Sequence, residues 1–562
     1  ERHTSDLAGA QVSEPASPRP TVKGSQRGGA TVETHSGDLR EIMAILSRDI
    51  AADRGTDVAL VDDEGTRTWA EFDERVNRLV NGFREVGLTA GQTVAIIAGN
   101  RREWYEASFA CSHAGLIFVP VNWHWVADEI AYVVEDAEVV CVVAGHRYAE
   151  EVAAALEDQR CAGVRLALLA GGGATDHFEN LEEFLSAQSP AEPDNQVLGG
   201  PMFYTSGTTG RPKGVKGALI TSAEALPPEV MQLVSAGFNQ VVPVPGTTAL
   251  CGPIYHSGQW AFSWLPMVEG SSVVMQHKFD PAGLLEMIDQ HQATNIHLVP
   301  TQFKRLLDLP DEIRNNYDGG SMEVVIHGAA PCPPTVKRGM IDWWGPKVIE
   351  YYGATEGGII SYIDSNEWLG RGGSVGRPQP DVEVIVVDDD GRRLGVGEEG
   401  NLYFRNATSG SFEYHNAPEK TAEAHLEPGV FTSGDVGFLD EEGYLWLSDR
   451  KIDMVISGGV NIYPAEIEGV LAGHPSVADV AVIGIPNEEY GEELKAVVVV
   501  QPGVTPDQAL VGELIRFCRE HLAGYKAPRS VDFTDALPRT ESGKIRKGPL
   551  REPHWEGLER RI

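Results

Sequence analysis

The sequence predicts an α/β protein. A large N-terminal domain of two parallel-type α/β subdomains plus a small β-subdomain precedes a smaller α+β C-terminal domain. Apolar strand-like runs alternate with segments of helical spacing from about 40 to 345, as parallel sheets covered by helices require. Acidic glycine turns then separate short strands between about 375 and 450, and a mixed unit of about 110 residues closes the chain.

Residues 1–38 are rich in Ser, Gly, Pro and charge without apolar period, and are expected to be a disordered tail. In "TWAEFDERVNRLVNGFREVG" the spacing is helical, "TVAIIAG" reads as a buried strand, "REWYEASFACSHAG" as helix and "EVVCVVAG" as strand. The stretch 241–345 repeats the theme with "SSVVMQ", "NIHLVP" and "MEVVIHGAA". "DVEVIVVDDDGRRLGVGEEGNLYFRN" and "GFLDEEGYLWLSDR" predict the small β-subdomain. In the last unit Pro464 suits a first helical turn, "VADVAVIGI" and "LKAVVVVQ" are strands, and a helix is expected near 508–522. The expected division is a 1–38 tail, a 39–450 domain and a 451–562 domain.

Charge and composition exclude several classes. Against 46 basic residues stand 82 acidic ones, for a formal net charge of -36. Such a surface repels phosphate backbones and anionic lipid, so no nucleic acid partner is expected. Cysteines 111, 141, 161, 251, 332 and 518 show no metal or disulfide spacing and read as buried thiols of a reduced compartment. No apolar run approaches the ~18 residues of a membrane span, and no secretory h-region opens the sequence, so a cytoplasmic protein without a transmembrane segment is expected. "GVGEEG" (395–400) fits a dinucleotide pattern and "GGSVG" (372–376) a nucleophile elbow, but neither is followed by a helix, and both read as loops.

One loop stands out in this acidic chain. "YTSGTTGRPKGVK" (204–216) follows an apolar run and brings Gly207, Gly210 and Gly214, the hydroxyls of Thr205, Ser206, Thr208 and Thr209, and the ammonium of Lys213. Successive backbone N–H groups and a lysine suit an anion, locally overriding the acidic field. It is not a Walker A loop, whose second glycine would fall at Pro212. A plain Ser/Gly-rich surface turn is the bland alternative.

T-S-G-T-T-G-x-P-K-G resembles the phosphate loop of the adenylate-forming superfamily, which contains acyl-CoA synthetases, luciferases and peptide-synthetase adenylation domains. The resemblance runs from about 40 to 553 through further motifs in order. "YYGATEGG" resembles the Y-G-x-T-E signature, which implies that Tyr352 stacks on adenine, Gly353 and Ala354 lie along the nucleotide, Thr355 touches phosphates, and Glu356 with Thr205 holds Mg²⁺. "HGAA" places Gly328, Ala329 and Ala330 along the adenine. "FTSGDVG" supplies Asp435 and "SDRKIDMVISGGVNIYPAEIE" supplies Arg450, both implied ribose contacts. "LPRTESGKIRK" places Lys544 at the family's catalytic lysine, and Ser457, Gly458 and Gly459 match the loop lining the pantetheine tunnel of coenzyme A. The resemblance further implies a mobile C-terminal domain swinging about a hinge at Ile452, where the family usually has Asp or Lys. A second departure is "GVKGALITS" after the phosphate loop, in place of the usual Ser/Thr-His pair.

The implied chemistry activates a carboxylic acid with ATP as an acyl-adenylate and transfers the acyl group to a thiol. Lys544, Glu356, Thr355, His256 and Lys213 would carry it. His256, in "GPIYHSGQWAFSWL", matches the acyl-pocket gate, and Trp260 and Trp264 share a helix face as pocket wall or core. No aspartate pairs with an amino group there, so an apolar fatty, aryl or polycyclic acid is expected. Coenzyme A is the first acceptor; a carrier protein, thioesterification alone, and a catalytically inactive nucleotide-binding protein remain alternatives. A homodimer is compatible with the sequence.

Overall fold

In the computed structural model the described residues are 47–206, 211–217, 241–329, 332, 334–388, 390–407, 411–450, 455–462, 464–538 and 547–556. The expected tail therefore lies outside the described residues.

Two α/β layers form the larger part. One is an all-parallel six-stranded sheet in the order Glu179–Asn180, Leu166–Ala170, Val139–Gly145, Thr93–Ile97, Ile117–Pro120, Gly200–Pro201. The other is a nine-stranded sheet with a parallel centre that includes Thr247–Leu250, Asn295–Leu298, Val324–His327 and Val348–Ala354. Next to its far edge strand Gly65–Thr68 lies Val58–Asp62, with Leu60 opposite Val273. Sequence order alone would group that strand with its neighbours in the first sheet. It crosses over because the helix Trp69–Glu85 that follows packs between the sheets, burying Trp69, Phe72, Val76 and Phe83. Thr68 caps this helix reciprocally with Glu71, which satisfies two otherwise unpaired N–H donors.

A single core joins the two layers. The helices Arg102–His113 and Ser257–Val268 meet there, with Phe109 and Trp264 ring centres 4.9 Å apart and the Trp264 indole N–H donating to Ser108 Oγ at 3.0 Å. Five of the cysteines are buried and Cys332 is half-buried.

The strands from Val382–Val387 to Leu445–Arg450, except Glu413–Tyr414, form the antiparallel β-subdomain, with Asp435 paired to Arg450. The smaller C-terminal part is α+β. Val477–Asn487 and Gly491–Val500 make a long antiparallel pair, Ser530–Phe533 adds in parallel, and helices Pro464–Ala472 and Gln508–His521 cover one face. Pro464 opens its helix as predicted. Gly395–Glu399 and Gly372–Gly376 are loops and turns, so both rejected motifs lack the helix their chemistry needs. Among the described residues no helix is long and apolar enough to cross a membrane.

Candidate active site

Parallel strands deliver their carboxyl ends to one crevice, the usual ligand position in open α/β sheets. Residues just beyond four of these ends, Asn122, Cys251, Val299 and Ala329, line a cavity of about 2280 Å³. That exceeds the ~300–1,000 Å³ of a single small-molecule pocket. More than one ligand can be accommodated.

The phosphate-loop motif is a hairpin. Phe203–Ser206 pairs with Pro212–Lys216 so that Thr205 faces Lys213 across the ladder. Thr205 lines the cavity together with Thr355 and Glu356. Lys213 stands one layer behind: its Nζ lies 5.4 Å from the centre of the Tyr414 ring, and the Tyr414 hydroxyl donates to Glu356 Oε1 at 3.0 Å. Desolvation lowers the Lys213 pKa, as does the nearby Lys420, while Glu423 and Glu356 oppose that shift. No local sequence pattern marks Tyr414. It sits on the short strand Glu413–Tyr414, which adds to the hairpin through Val215, a pairing no local pattern announces.

Tyr352 and Asp435 meet directly. The tyrosine hydroxyl donates to Asp435 Oδ2 at 2.6 Å, and Ser433 Oγ donates to the same oxygen at 2.8 Å. Asp435 is only 4% exposed but borders the cavity. Gly328 is enforced by packing, because a Cβ there would lie 2.4 Å from Tyr351 Cε1. Ala329 follows in a left-handed conformation at φ 64, a strain of order 1 kcal/mol for a non-glycine residue. Gly353 and Ala354 continue the strand from Tyr352 and border the cavity.

At the other end, His256 caps the helix Ser257–Val268 by its backbone and faces the cavity. Burial, then the charge of His124, pushes its imidazole pKa down to about 4, so it is neutral at pH 7. Ser257 Oγ and Thr355 Oγ1 lie 2.9 Å apart, tying this helix start to the Y-G-x-T-E segment. The two tryptophans divide: Trp260 lines the cavity and Trp264 is core.

The C-terminal part also lines the cavity. Ser457, Gly458 and Gly459 form the turn between Val455–Ser457 and Val460–Ile462 and line it. Gly459 has φ 79, and a Cβ there would lie 3.2 Å from Val299 Cβ. This placement is held from a distance. Lys526 Nζ bonds Glu129 Oε1 at 2.8 Å and Glu466 Oε1 at 2.7 Å, the Ala523 N–H donates to Glu129 Oε2 at 3.0 Å, and Asn122 Nδ2 donates to the Tyr525 hydroxyl at 2.7 Å.

Several expected site residues lie outside the described residues: Gly207, Thr208, Thr209, Gly210, Ala330, Ile452 and Lys544. The side chains of Ser206 and Arg450 are likewise outside them.

Thr205, Thr355 and Glu356 all line the cavity and offer oxygen ligands, a hard and sparse set. It fits Mg²⁺, which keeps several waters and binds few protein groups beside substrate phosphates.

The model of the AMP-binding enzyme family matches residues 47–411, and that of the AMP-binding enzyme C-terminal domain matches 466–544. The chain belongs to the AMP-binding enzyme family. It is an acyl-CoA synthetase-like member of the adenylate-forming superfamily, an ATP-dependent, AMP-forming acid–thiol ligase. A feruloyl-CoA synthase of Amycolatopsis sp is 35% identical over 491 residues, covering 86% of this chain and 93% of the relative. The amide bond synthetase McbA from Marinactinospora thermotolerans superposes with a TM-score of 0.79 at 28% identity, over 90% of this chain and 99% of that one. A double mutant of o-succinylbenzoate CoA synthetase from Bacillus subtilis, bound with its product analogue OSB-NCoA, gives 0.75 at 25% identity, over 90% and 98%. The same enzyme in complex with its acyl-adenylate intermediate OSB-AMP gives 0.60 at 26% identity, over 90% and 97%.

Proposed function

We propose that this chain converts an apolar ring-bearing carboxylic acid to its coenzyme A thioester within the one cavity. The observation that carries the reading is the shared cavity. Thr205, Thr355, Glu356 and Asp435 come from the larger part, and Ser457–Gly459 from the smaller. Phosphate, ribose and thiol chemistry thus converge on one space.

A carboxylate is a poor acceptor because it is anionic and its oxygen leaves badly. In the first half it attacks the α-phosphorus of ATP, forming the mixed anhydride and releasing pyrophosphate. The hairpin of Thr205 and Lys213 receives the outgoing phosphates, Asp435 accepts ribose hydroxyls alongside Arg450, and Tyr352 flanks the base. Gly207, Thr208, Thr209 and Gly210 complete the phosphate cradle, and Gly328, Ala329 and Ala330 line the base. Mg²⁺ held by Glu356 and Thr205 would neutralise phosphate charge. Lys544 stabilises the charge that develops on the α-phosphate. In the second half a thiolate attacks the acyl carbon and AMP leaves.

The described arrangement suits the second half. Gly459 packs on Val299 at the cavity wall, and a side chain there would obstruct a pantetheine arm. The higher TM-score to the product-analogue complex than to the acyl-adenylate complex of one enzyme supports this reading. The smaller part would swing near Ile452 to bring Lys544 in for the first half. An amine acceptor, as the amide bond synthetase name suggests for that protein, competes less well with a glycine-lined path suited to a slender thiol arm. The acids named for relatives include feruloyl and o-succinylbenzoate beside medium- and long-chain fatty acids, and the aromatic side chains of Trp123, Tyr255 and Trp260 along the cavity suit a ring. A cytoplasmic setting agrees with six cysteines that form no disulfide.

The test is mass spectrometry of reactions containing ATP, Mg²⁺, CoA and a panel of acids. Acyl-CoA, AMP and pyrophosphate are expected in equal amounts with ring acids. ADP formation, or no thioester with any acid, would overturn the assignment.

A further inference from the structure

One side chain joins the two charged groups that neighbour Thr205 and Thr355. The Tyr414 hydroxyl donates to Glu356 Oε1 at 3.0 Å, and the Lys213 ammonium lies 5.4 Å from the centre of the same ring. The two contacts use different parts of the residue. The hydroxyl is a neutral donor to a carboxylate, and the ring face carries the negative potential that attracts a cation. Desolvation lowers the Lys213 pKa most, and Glu356 is among the charges that oppose it. Tyr414 thus bridges a lysine and a glutamate that attract each other.

The backbone of Tyr414 is pinned from several sides. Its N–H donates to Thr421 Oγ1 at 3.0 Å, the following His415 N–H donates to the Gly214 carbonyl at 2.7 Å, and Val215 pairs opposite it. The His415 ring and the Asn416 amide both bond the Asp136 carbonyl, at 2.8 and 3.1 Å. The tyrosine ring packs edge-on to the buried Phe412 with centres 5.0 Å apart. Gly214 permits this close approach, because a Cβ there would lie 3.1 Å from His415 Cβ. So many contacts on a strand of two residues give the hydroxyl and the ring a defined place.

That place suits both charges. A carboxylate ligand is oriented by the hydrogen bonds it accepts from the surrounding shell. A phenol supplies such a bond without a charge, so Glu356 keeps its negative charge for a cation, whereas a direct bond from Lys213 would neutralise it. The ring face steadies the ammonium on one side, and its N–H donors on the other side remain for phosphate oxygens.

We propose that Tyr414 is a positioning residue for the metal-bound triphosphate: its hydroxyl orients Glu356 toward Mg²⁺, and its ring steadies Lys213 for the β- and γ-phosphates. This deepens, and rests on, the reading of Glu356 as a metal ligand and of Lys213 as a phosphate contact.

The experiment compares Tyr414→Phe, which removes only the hydroxyl, with Tyr414→Leu, which removes the ring as well. On the full chain, calorimetric affinities are taken for AMP, for ATP in EDTA, and for ATP with saturating Mg²⁺. Tyr414→Phe is expected to reduce the wild-type gain from Mg²⁺ by about tenfold or more, the usual scale for a residue that orients a ligating carboxylate. Its metal-free ATP affinity should stay within about twofold of the wild type, because the ring still faces Lys213. Tyr414→Leu should show the same loss and in addition weaken metal-free ATP by about threefold to tenfold. AMP has no β- or γ-phosphate, so its affinity should hold in both variants. In a Glu356→Gln background, Tyr414→Phe should take nothing further from the Mg²⁺ gain, since residues acting through one contact are non-additive. A Mg²⁺ gain that survives Tyr414→Phe, or AMP affinity that falls in step with that of ATP, overturns this proposal alone. No gain from Mg²⁺ in the wild type overturns the metal reading of Glu356 with it. The expected pattern of affinities without thioester formation from any acid would uphold the positioning role and overturn the coenzyme A reading instead.

Discussion

Lys526 Nζ lies 2.8 Å from Glu129 Oε1, a buried ion pair between groups 397 positions apart. It joins the smaller C-terminal part to the helix Ala127–Asp136 of the larger part. Both side chains are almost fully buried, and Glu466 completes the set at 2.7 Å. Burial works against the Lys526 ammonium, but Tyr525, Glu129 and Glu466 outweigh it, and its pKa is raised. Breaking one partner of a buried charged network is costly because the remaining charge keeps its desolvation penalty.

Glu129→Gln is therefore expected to favour undocking. Losing one charge-assisted bond removes about 1.5–3 kcal/mol from this orientation, roughly tenfold or more in its population. Thioester formation from supplied acyl-adenylate should slow by that factor, while acid-dependent exchange of pyrophosphate into ATP holds or rises. Equal loss in both halves would reduce the contact to ordinary structural support.

Gly459→Leu should have a similar signature for a different reason. Its φ of 79 disfavours any side chain, and the Cβ would already press on Val299 at 3.2 Å. Thioester formation is expected to fall by about 10²-fold or more with exchange kept, as narrowing a path does not touch the phosphates. Undiminished thioester synthesis would remove the glycines from the thiol path.

Buried neutral histidines make stability sensitive to acid. Burial drives His113 and His297 down to about 3 and His256 down to about 4, from an ordinary 6.5. The unfolded chain then binds more protons than the native one between about pH 6.5 and pH 3–4, so stability falls as pH drops through that window and levels off above it. At pH 5 each such group costs about 2 kcal/mol relative to pH 8. Thermal unfolding from pH 8 to pH 4.5 should show Tm falling below about pH 6.5, less steeply in His297→Phe. A flat profile, or no difference for the variant, would contradict the burial of these rings in the neutral form.

The strands and helices that build the site were legible because their apolar periods are local. Trp69–Glu85, Thr93–Ile97 and Gln508–His521 fall where spacing alone puts them. The 204–216 segment stands out by its chemistry, since hydroxyls, glycines and a lysine gather within thirteen residues, and phosphate binding there is a proposal. Tyr414 does not stand out, because its link to Glu356 spans 58 positions and depends on one short edge strand. Trp260 and Trp264 are equivalent by helical spacing. They diverge because the second finds Ser108 across the core while the first meets the cavity.

The most direct measurement is exchange of labelled pyrophosphate into ATP by the wild type and by Lys544→Ala, each with and without a ring acid accepted in the thioester assay. Exchange by the wild type is expected only when the acid is present, and the variant is expected to lose about 10²–10³ of it while still forming thioester from supplied acyl-adenylate. Acid-independent exchange, or none with any acid, would contradict activation of the acid through an adenylate in this cavity.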